Sequence, residues 1–180
     1  GSVRDALLGR LGNDLDFTTP ARPEVVKEIL DEWAETVWDT GIDFGTVSAA
    51  YKGQQIEITT FRSDSYDGQS RNPEVVYGDT LEGDLVRRDF KANAMAIELL
   101  ADASFKFHDP LHGLQDIADR VLDTPDKPEI SFHDDPLRML RAARFASQLE
   151  FRVADRVVEA MRDMAGENQR ITVELSLIHI

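Results

Sequence analysis

The spacing of apolar residues changes character once along the chain, and that change limits the architecture more than any single residue does. Up to about residue 128, short segments of alternating polarity are interleaved with helical patterns; beyond Pro128 only the helical spacing continues. Alternation sends successive side chains to opposite faces of a strand, whereas recurrence at three and four residues marks one face of a helix. The pattern therefore predicts a small mixed α/β unit followed by a helical segment, an α+β arrangement.

In detail, Val3 to Leu11 suits a short helix stopped at Gly12-Asn13, and Asp14-Leu15-Asp16-Phe17-Thr18 alternates as a strand. After Pro20, the positions Val26, Ile29, Leu30, Trp33, Val37 and Trp38 predict one helix ending at Gly41. Strands follow over Phe44 to Tyr51 and Gln55 to Arg62, joined as a hairpin at Lys52-Gly53. The stretch Ser63 to Gly78 reads as a loop, Leu81 to Asn93 as a helix, and Met95 to Leu100 and Phe105 to His108 as strands. Asp135-Pro136 starts a helix with Leu137, Leu140, Phe145 and Leu149 as its apolar stripe, and everything beyond reads as helical. A domain boundary is expected near residue 128, giving units 1–128 and 129–180.

At 180 residues and 42% hydrophobic content, the chain can bury one core and begin a second. The formal net charge of −14, from 34 acidic and 20 basic residues, argues against a broad nucleic-acid surface, because phosphate contacts need clustered Lys and Arg. Arg residues do gather at Arg87-Arg88 and at Arg138, Arg141 and Arg144, which is compatible with a local positive patch inside an acidic envelope. The absence of Cys excludes a disulfide frame or a thiolate metal site. No apolar run approaches membrane length and no signal peptide is visible, so a soluble cytoplasmic protein is expected.

Asp14 and Asp16 leave the same face of their strand. Paired carboxylates suit a hard cation such as magnesium, which takes one or two carboxylates and leaves other positions to phosphate and water. Nucleotidyl transfer uses such a pair, since a 3′ hydroxyl must be activated and a departing pyrophosphate neutralised. Glu57, in Ile56-Glu57-Ile58, is the candidate third carboxylate. A solvated acidic strand edge is the alternative for the Asp pair, and the exposed face of a half-buried strand explains Glu57 equally well.

The surroundings narrow this. Gly1-Ser2-Val3-Arg4-Asp5-Ala6-Leu7-Leu8-Gly9-Arg10 with Asn13-Asp14-Leu15-Asp16-Phe17-Thr18 resembles the signature of the tRNA nucleotidyltransferase and bacterial poly(A) polymerase family. Arg87-Arg88-Asp89-Phe90-Lys91-Ala92-Asn93-Ala94-Met95-Ala96 resembles its next motif. Asp134-Asp135-Pro136-Leu137-Arg138-Met139-Leu140-Arg141-Ala142-Ala143-Arg144-Phe145 resembles its nucleotide-selecting motif, with Asp134 where many members carry Glu. Relative to that family, the first motif lacks its leading Gly and preceding strand. Leu175-Ser176-Leu177-Ile178-His179-Ile180 departs from the expected basic helix and reads as foreign or frame-shifted, and the later tRNA-binding regions are expected to be missing.

The resemblance implies a polymerase-β-like head with a mixed sheet, followed by the start of a helical neck. It implies Asp14 and Asp16 as catalytic metal ligands, Gly1 and Arg4 at the triphosphate, Arg88 on the nucleotide, and Asp89 and Asn93 at the sugar. Read as helical, Asp89 and Asn93 share a face and can hydrogen-bond a ribose 2′ hydroxyl; helix capping by Asp89 is the alternative. Asp135 and Arg138, three apart, can accept from and donate to one base edge. Cytosine and adenine both pair an exocyclic amine with a ring-nitrogen acceptor, whereas guanine and uracil reverse that pattern. Each lost charged hydrogen bond costs roughly 1.5–3 kcal/mol. A capping Asp beside an exposed Arg is again the alternative. Arg141 and Arg144 match further nucleotide-contacting positions, or form the solvated face of an amphipathic helix.

The activity so implied is magnesium-dependent addition of C, C and A to the tRNA 3′ end from CTP and ATP, with tRNA as partner and no membrane. Poly(A) addition by the sister enzymes is the nearest alternative, and a catalytically silent RNA- or nucleotide-binding module the other.

Overall fold

The computed structural model describes residues 1–63 and 76–166. The chain falls into two compact units, residues 1–87 and 88–180. This division by packing lies earlier than the boundary expected near residue 128. Residues within 88–127 also bind the helices that follow: Phe90 meets Phe145 edge-on at 6.0 Å, and Asp123 pairs with Arg156 at 2.7 Å.

The first unit begins with α1 (Ser2–Leu7) and β1 (Asp14–Thr19), then α2 (Pro23–Asp31) and β2 (Thr36–Trp38). It continues through β3 (Thr46–Tyr51), β4 (Gln54–Thr60), β5 (Arg62–Ser63), β6 (Val76–Tyr77) and α3 (Leu81–Val86). Four strands form one sheet in the order β1-β4-β3-β2, with β1 parallel to β4 and the other neighbours antiparallel. Lys52 (φ 48) and Gly53 (φ 74) form the predicted hairpin, both at the positive φ that a two-residue turn matched to strand twist requires.

Pro23 opens α2 at its first turn, and the residues it buries, Pro23, Val26 and Leu30, follow helical spacing. Val26 and Leu30 meet Val47 and Ala49 from β3, with Val37 and Ile58 packed around them. Burying Val26 and Leu30 stabilises the unit by about 1.5–3 kcal/mol each. With α2 on one face, the opposite face is polar: Asp16, Glu57 and Ser48 share one row, and Thr18, Thr59 and Thr46 the next.

Three expectations are corrected here. The first helix ends at Leu7 and not at Gly12-Asn13, because Gly9 (φ 68) turns the chain already. The helix after Pro20 ends at Asp31 and does not run to Gly41; Thr36-Val37-Trp38 is an edge strand paired with Ala50, Ala49 and Ser48. Val37 happens to continue the helical spacing, but its β-branch and period-2 neighbours suit the sheet, where it joins the same core. The helix from Leu81 stops at Val86, and only a 3₁₀ turn, Lys91–Asn93, follows. The expected loop Ser63 to Gly78 falls mainly on residues outside the described ones, although Arg62 and Ser63 pair with Tyr77 and Val76 at its edges.

The second unit contains the hairpin β7 (Ala96–Leu99) and β8 (Phe105–His108), α4 (Gly113–Asp119) and β9 (Val121–Leu122). Helices α5 (Pro128–Asp134), α6 (Leu137–Leu149) and α7 (Asp155–Asp163) follow, with β10 (Arg152–Val153) before α7. Strand β10 pairs in parallel with β9, so the region beyond Pro128 is not purely helical; two residues are too few to show a period. Phe132, Met139, Val157 and Ala160 form the core among α5, α6 and α7. The buried stripe of α6 is Met139, Ala142, Phe145 and Leu149, leaving Leu137 and Leu140 half-buried. The foreign or frame-shifted segment expected at residues 175–180 lies outside the described residues. No helix among the described residues is long and apolar enough to cross a membrane.

Asp116 on α4 is half-buried, and its Oδ2 has no hydrogen-bond partner among the described residues. Burial pushes its carboxyl up to about 6; Lys91 opposes the rise, and Asp123, Asp119 and Asp109 add to it. A carboxyl raised in the folded state stabilises fully below its ordinary value of 3.8, and that contribution is lost as pH rises through about 6. Asp116→Asn should therefore raise the urea midpoint at pH 7.5 and flatten its change between pH 7.5 and pH 5. A wild-type midpoint that is lower at pH 5 than at pH 7.5, unchanged by the substitution, would contradict this.

Candidate functional site

Each unit holds its own set of the candidate residues. In the first unit, α1 and β1 are joined through Ser2, whose Oγ accepts from the Asp16 N–H at 3.0 Å and lies 3.4 Å from Asp16 Oδ2. This tie places the start of the first motif block beside the acidic strand. Asp14 opens β1 opposite Gln55, and Asp16 stands opposite Glu57 in the parallel register. Leu15, Asp16, Gln55 and Glu57 line one open concavity of about 180 Å³. Asp16 and Glu57 are both solvent-exposed and, among the described residues, neither pairs with a basic side chain.

Arg4 is 5% exposed and its guanidinium grips Asp5 through two hydrogen bonds of 2.8 and 2.9 Å. It is therefore not a solvated surface charge. The Gly1 carbonyl accepts the Asp5 N–H at 3.1 Å as the first helical bond.

In the second unit, the second and third motif blocks meet. Asp89 and Asn93 do not share a helix face, since only a 3₁₀ turn lies between them, yet the Asn93 amide donates to Asp89 Oδ1 at 2.8 Å. The Arg141 guanidinium, 52 residues along, reaches Asp89 Oδ2 at 2.7 Å. Arg141 and Arg144 both stack on the Phe145 ring, at 5.4 and 4.7 Å, and Arg88 is half-buried.

At the start of α6, Asp135 Oδ1 accepts from the Leu137 N–H at 3.0 Å, so Asp135 does serve the helix end. Arg138 is not exposed: its side chain is 16% accessible, donates to Ser131 Oγ at 2.8 Å, and comes within 4.0 Å of Asp135 Oδ2. The two side chains thus stand beside each other as a carboxylate acceptor next to a guanidinium donor.

Sequence reasoning assigned no role to Ser2, Ser131 or the Lys91–Asp123–Arg156 chain. Lys91 Nζ lies 2.6 Å from Asp123 Oδ2, and Arg156 binds Asp123 Oδ1, the Thr124 carbonyl and the Asp126 carbonyl. Burial raises the Asp123 carboxyl, but the bonds and charges of Arg156 and Lys91 outweigh it and leave the pKa below the ordinary value. This brace holds the Lys91–Asn93 turn against β9. Ser2 lay inside a quoted motif, whereas the brace joins residues too far apart in sequence to signal one another.

The poly(A) polymerase head-domain profile matches residues 1–123. The chain belongs to that family. Its members include proteins very similar to this one along most of its length. A CCA-adding enzyme of Lactobacillus helveticus (strain DPC 4571) is 42% identical over 175 residues, covering 97% of this chain and 42% of that protein. The Bacillus stearothermophilus CCA-adding enzyme, solved in complex with CTP, matches at a TM-score of 0.86 and 37% identity, covering 99% of this chain and 41% of that one. A tRNA nucleotidyltransferase solved with a primer tRNA and an incoming ATP analog matches at a TM-score of 0.74 and 31% identity, over 93% of this chain and 46% of that one. The chain thus spans about two-fifths of the length of the curated relatives it matches. Within the poly(A) polymerase head-domain family, the polymerase-β-like head expected from the motifs is the fold observed, an α+β unit built on a mixed sheet.

Proposed function

We propose that this chain carries the nucleotidyltransferase part of an enzyme that adds CCA to the 3′ end of tRNA from CTP and ATP. The observation that carries the reading is likeness along nearly the whole chain to a CCA-adding enzyme solved with CTP. Residues 1–128 act as the catalytic head and residues 129–180 as the start of the neck. A cytoplasmic location goes with the reading.

Enzymes of this family use divalent metal, and magnesium is the ion proposed here. Two observations support it: Asp16 and Glu57 are adjacent, solvent-facing carboxylates in one register row, and Asp14 lies on the same strand. Asp14 and Asp16 would hold it, with Glu57 as third ligand. Bound there, a divalent cation makes a hydroxyl more acidic and offsets charge on phosphate oxygens.

The chain's own groups do the rest. The Gly1 backbone admits a triphosphate closely, and Arg4, its fork aimed by Asp5, adds positive charge beside it. Arg88 and Arg144 contact the nucleotide, with Arg144 fixed by its stacking on Phe145. Asp89 and Asn93 form the sugar-recognising pair, in which Asp89 holds the Asn93 amide. Asp135 accepts from the exocyclic amine of cytosine or adenine while Arg138 donates to the ring nitrogen, so these side chains stand in for a template. Guanine and uracil would leave both charged groups facing like partners, a mismatch of roughly 1.5–3 kcal/mol per bond.

The test is incorporation of labelled CTP and ATP, with magnesium, onto tRNA lacking its terminal CCA. Two C and one A, followed by a stop, are expected. Long ATP-only tails on unrelated RNA would make the chain part of a poly(A) polymerase, the second reading favoured by the family profile. No incorporation would leave a nucleotide-binding module.

A further inference from the structure

The carboxylate of Asp89 is 7% exposed and fully engaged. Its Oδ1 accepts from the Phe90 N–H at 2.9 Å and from the Asn93 amide at 2.8 Å. Its Oδ2 accepts from Arg141 Nε and Nη2, both at 2.7 Å. A carboxylate offers about four lone-pair directions, so these donors saturate it. For Asp89 to bind a ribose hydroxyl itself, one of these bonds would have to break. The bond from Asn93 has a further effect: with its amide nitrogen turned toward Asp89, its carbonyl oxygen is turned away.

Arg141 is what makes the buried carboxylate tenable. A carboxylate this far from water is costly unless paired. Without the guanidinium, the carboxylate would lose two of its four bonds and be free to swing toward solvent, and Asn93 would lose the acceptor that orients it. The guanidinium is itself seated on the Phe145 ring, so its aim at Asp89 is set on two sides.

We propose that Arg141 is a positioning residue for sugar discrimination: it holds Asp89, Asp89 holds the Asn93 amide, and Arg141 thereby sets the preference for ribonucleotides without gripping the triphosphate. This rests on the reading of the chain as a nucleotidyltransferase. It differs from the role implied by the third motif, in which Arg141 contacts the nucleotide. A phosphate contact would serve CTP and dCTP equally; a strut behind the sugar site would not.

The experiment measures equilibrium binding of CTP and dCTP, with magnesium, by titration calorimetry on the wild-type chain, Arg141→Gln, Arg141→Lys, Asp89→Asn and the Arg141→Gln, Asp89→Asn double variant. Thermal melts accompany each. Wild type is expected to favour CTP. Arg141→Gln should lower that preference about tenfold by weakening CTP while dCTP changes little. Asp89→Asn should do the same, and the double variant should go no further, because the two residues act as one unit. Arg141→Lys, which keeps the charge but not the fork, should recover part of the preference. The preference is a ratio that general destabilisation does not move, and if Arg141→Gln fails to fold, Arg141→Lys carries the same comparison. Equal weakening of CTP and dCTP by Arg141→Gln, or additive losses in the double variant, would overturn the proposal in favour of a triphosphate contact. A wild-type chain that binds both nucleotides without preference would also overturn it, leaving the enzyme reading intact. A wild-type chain that binds neither would instead remove the enzyme reading on which it stands.

Discussion

Asp16→Asn should lower nucleotide incorporation by about 10³-fold or more while leaving the melting temperature unchanged or slightly raised. The two halves of that expectation come from different facts. The side chain is exposed on β1, and its side-chain contact among the described residues, to Ser2 Oγ at 3.4 Å, is long enough to be weak. Little stability is therefore at stake, within roughly 0.5 kcal/mol, and removing one charge from an acidic strand eases repulsion. Asparagine matches aspartate in shape but gives a cation a neutral donor, so the loss falls on the chemistry. Incorporation assays and melts on the same preparation decide the matter. Loss of incorporation together with a large drop in melting temperature would mean that Asp16 serves the fold, and unchanged incorporation would remove it from the site.

Gly113→Ala should be the most destabilising glycine-to-alanine change among the described residues. A Cβ there would stand 2.2 Å from the Lys91 carbonyl oxygen, 2.9 Å from its carbon and 3.1 Å from Met95 Cγ. Backbone, not a yielding side chain, blocks the space. Neither side can retreat easily. The Gly113 N–H is held by Asp109 Oδ1 at 2.6 Å, and Lys91 is tied to Asp123 through both its backbone N–H and its Nζ. An overpacked site of this kind costs about 3 kcal/mol, which for a chain of this size corresponds to roughly 10 °C in melting temperature. Because the displaced turn carries Asn93, nucleotide binding should weaken as well. A melt within about 1 kcal/mol of wild type would show that α4 shifts freely.

How far the sequence foretold this structure depended on the range of the signal. The strand at Asp14 and the Lys52-Gly53 hairpin were legible because alternation and a Gly at positive φ act over a few residues. The end of α2 was not, since Val37 satisfies two periods at once and only pairing with Ala49 chooses between them. The break after Val86 was hidden for a similar reason: residues 87–93 have helix-compatible composition, and only the folded chain sets Phe90 in extended backbone before the Lys91–Asn93 turn. The candidate residues could be named from their motifs, while their grouping could not. Nothing local relates Arg141 to Asp89, and the register that sets Glu57 opposite Asp16 exists only in the folded sheet.

The parallel pairing of β1 with β4 also bears on the order in which the protein assembles. The hairpin of β3 and β4 can close over a two-residue turn, whereas β1 must bridge roughly 40 residues to reach its place beside β4. During synthesis β1 emerges well before that partner exists, and it waits with unpaired backbone. A waiting strand invites association with strands of other chains, and charge along it is what discourages such contacts. Strand β1 carries two such charges, Asp14 and Asp16, so the residues proposed to hold a cation are also of the type that disfavours edge-to-edge pairing.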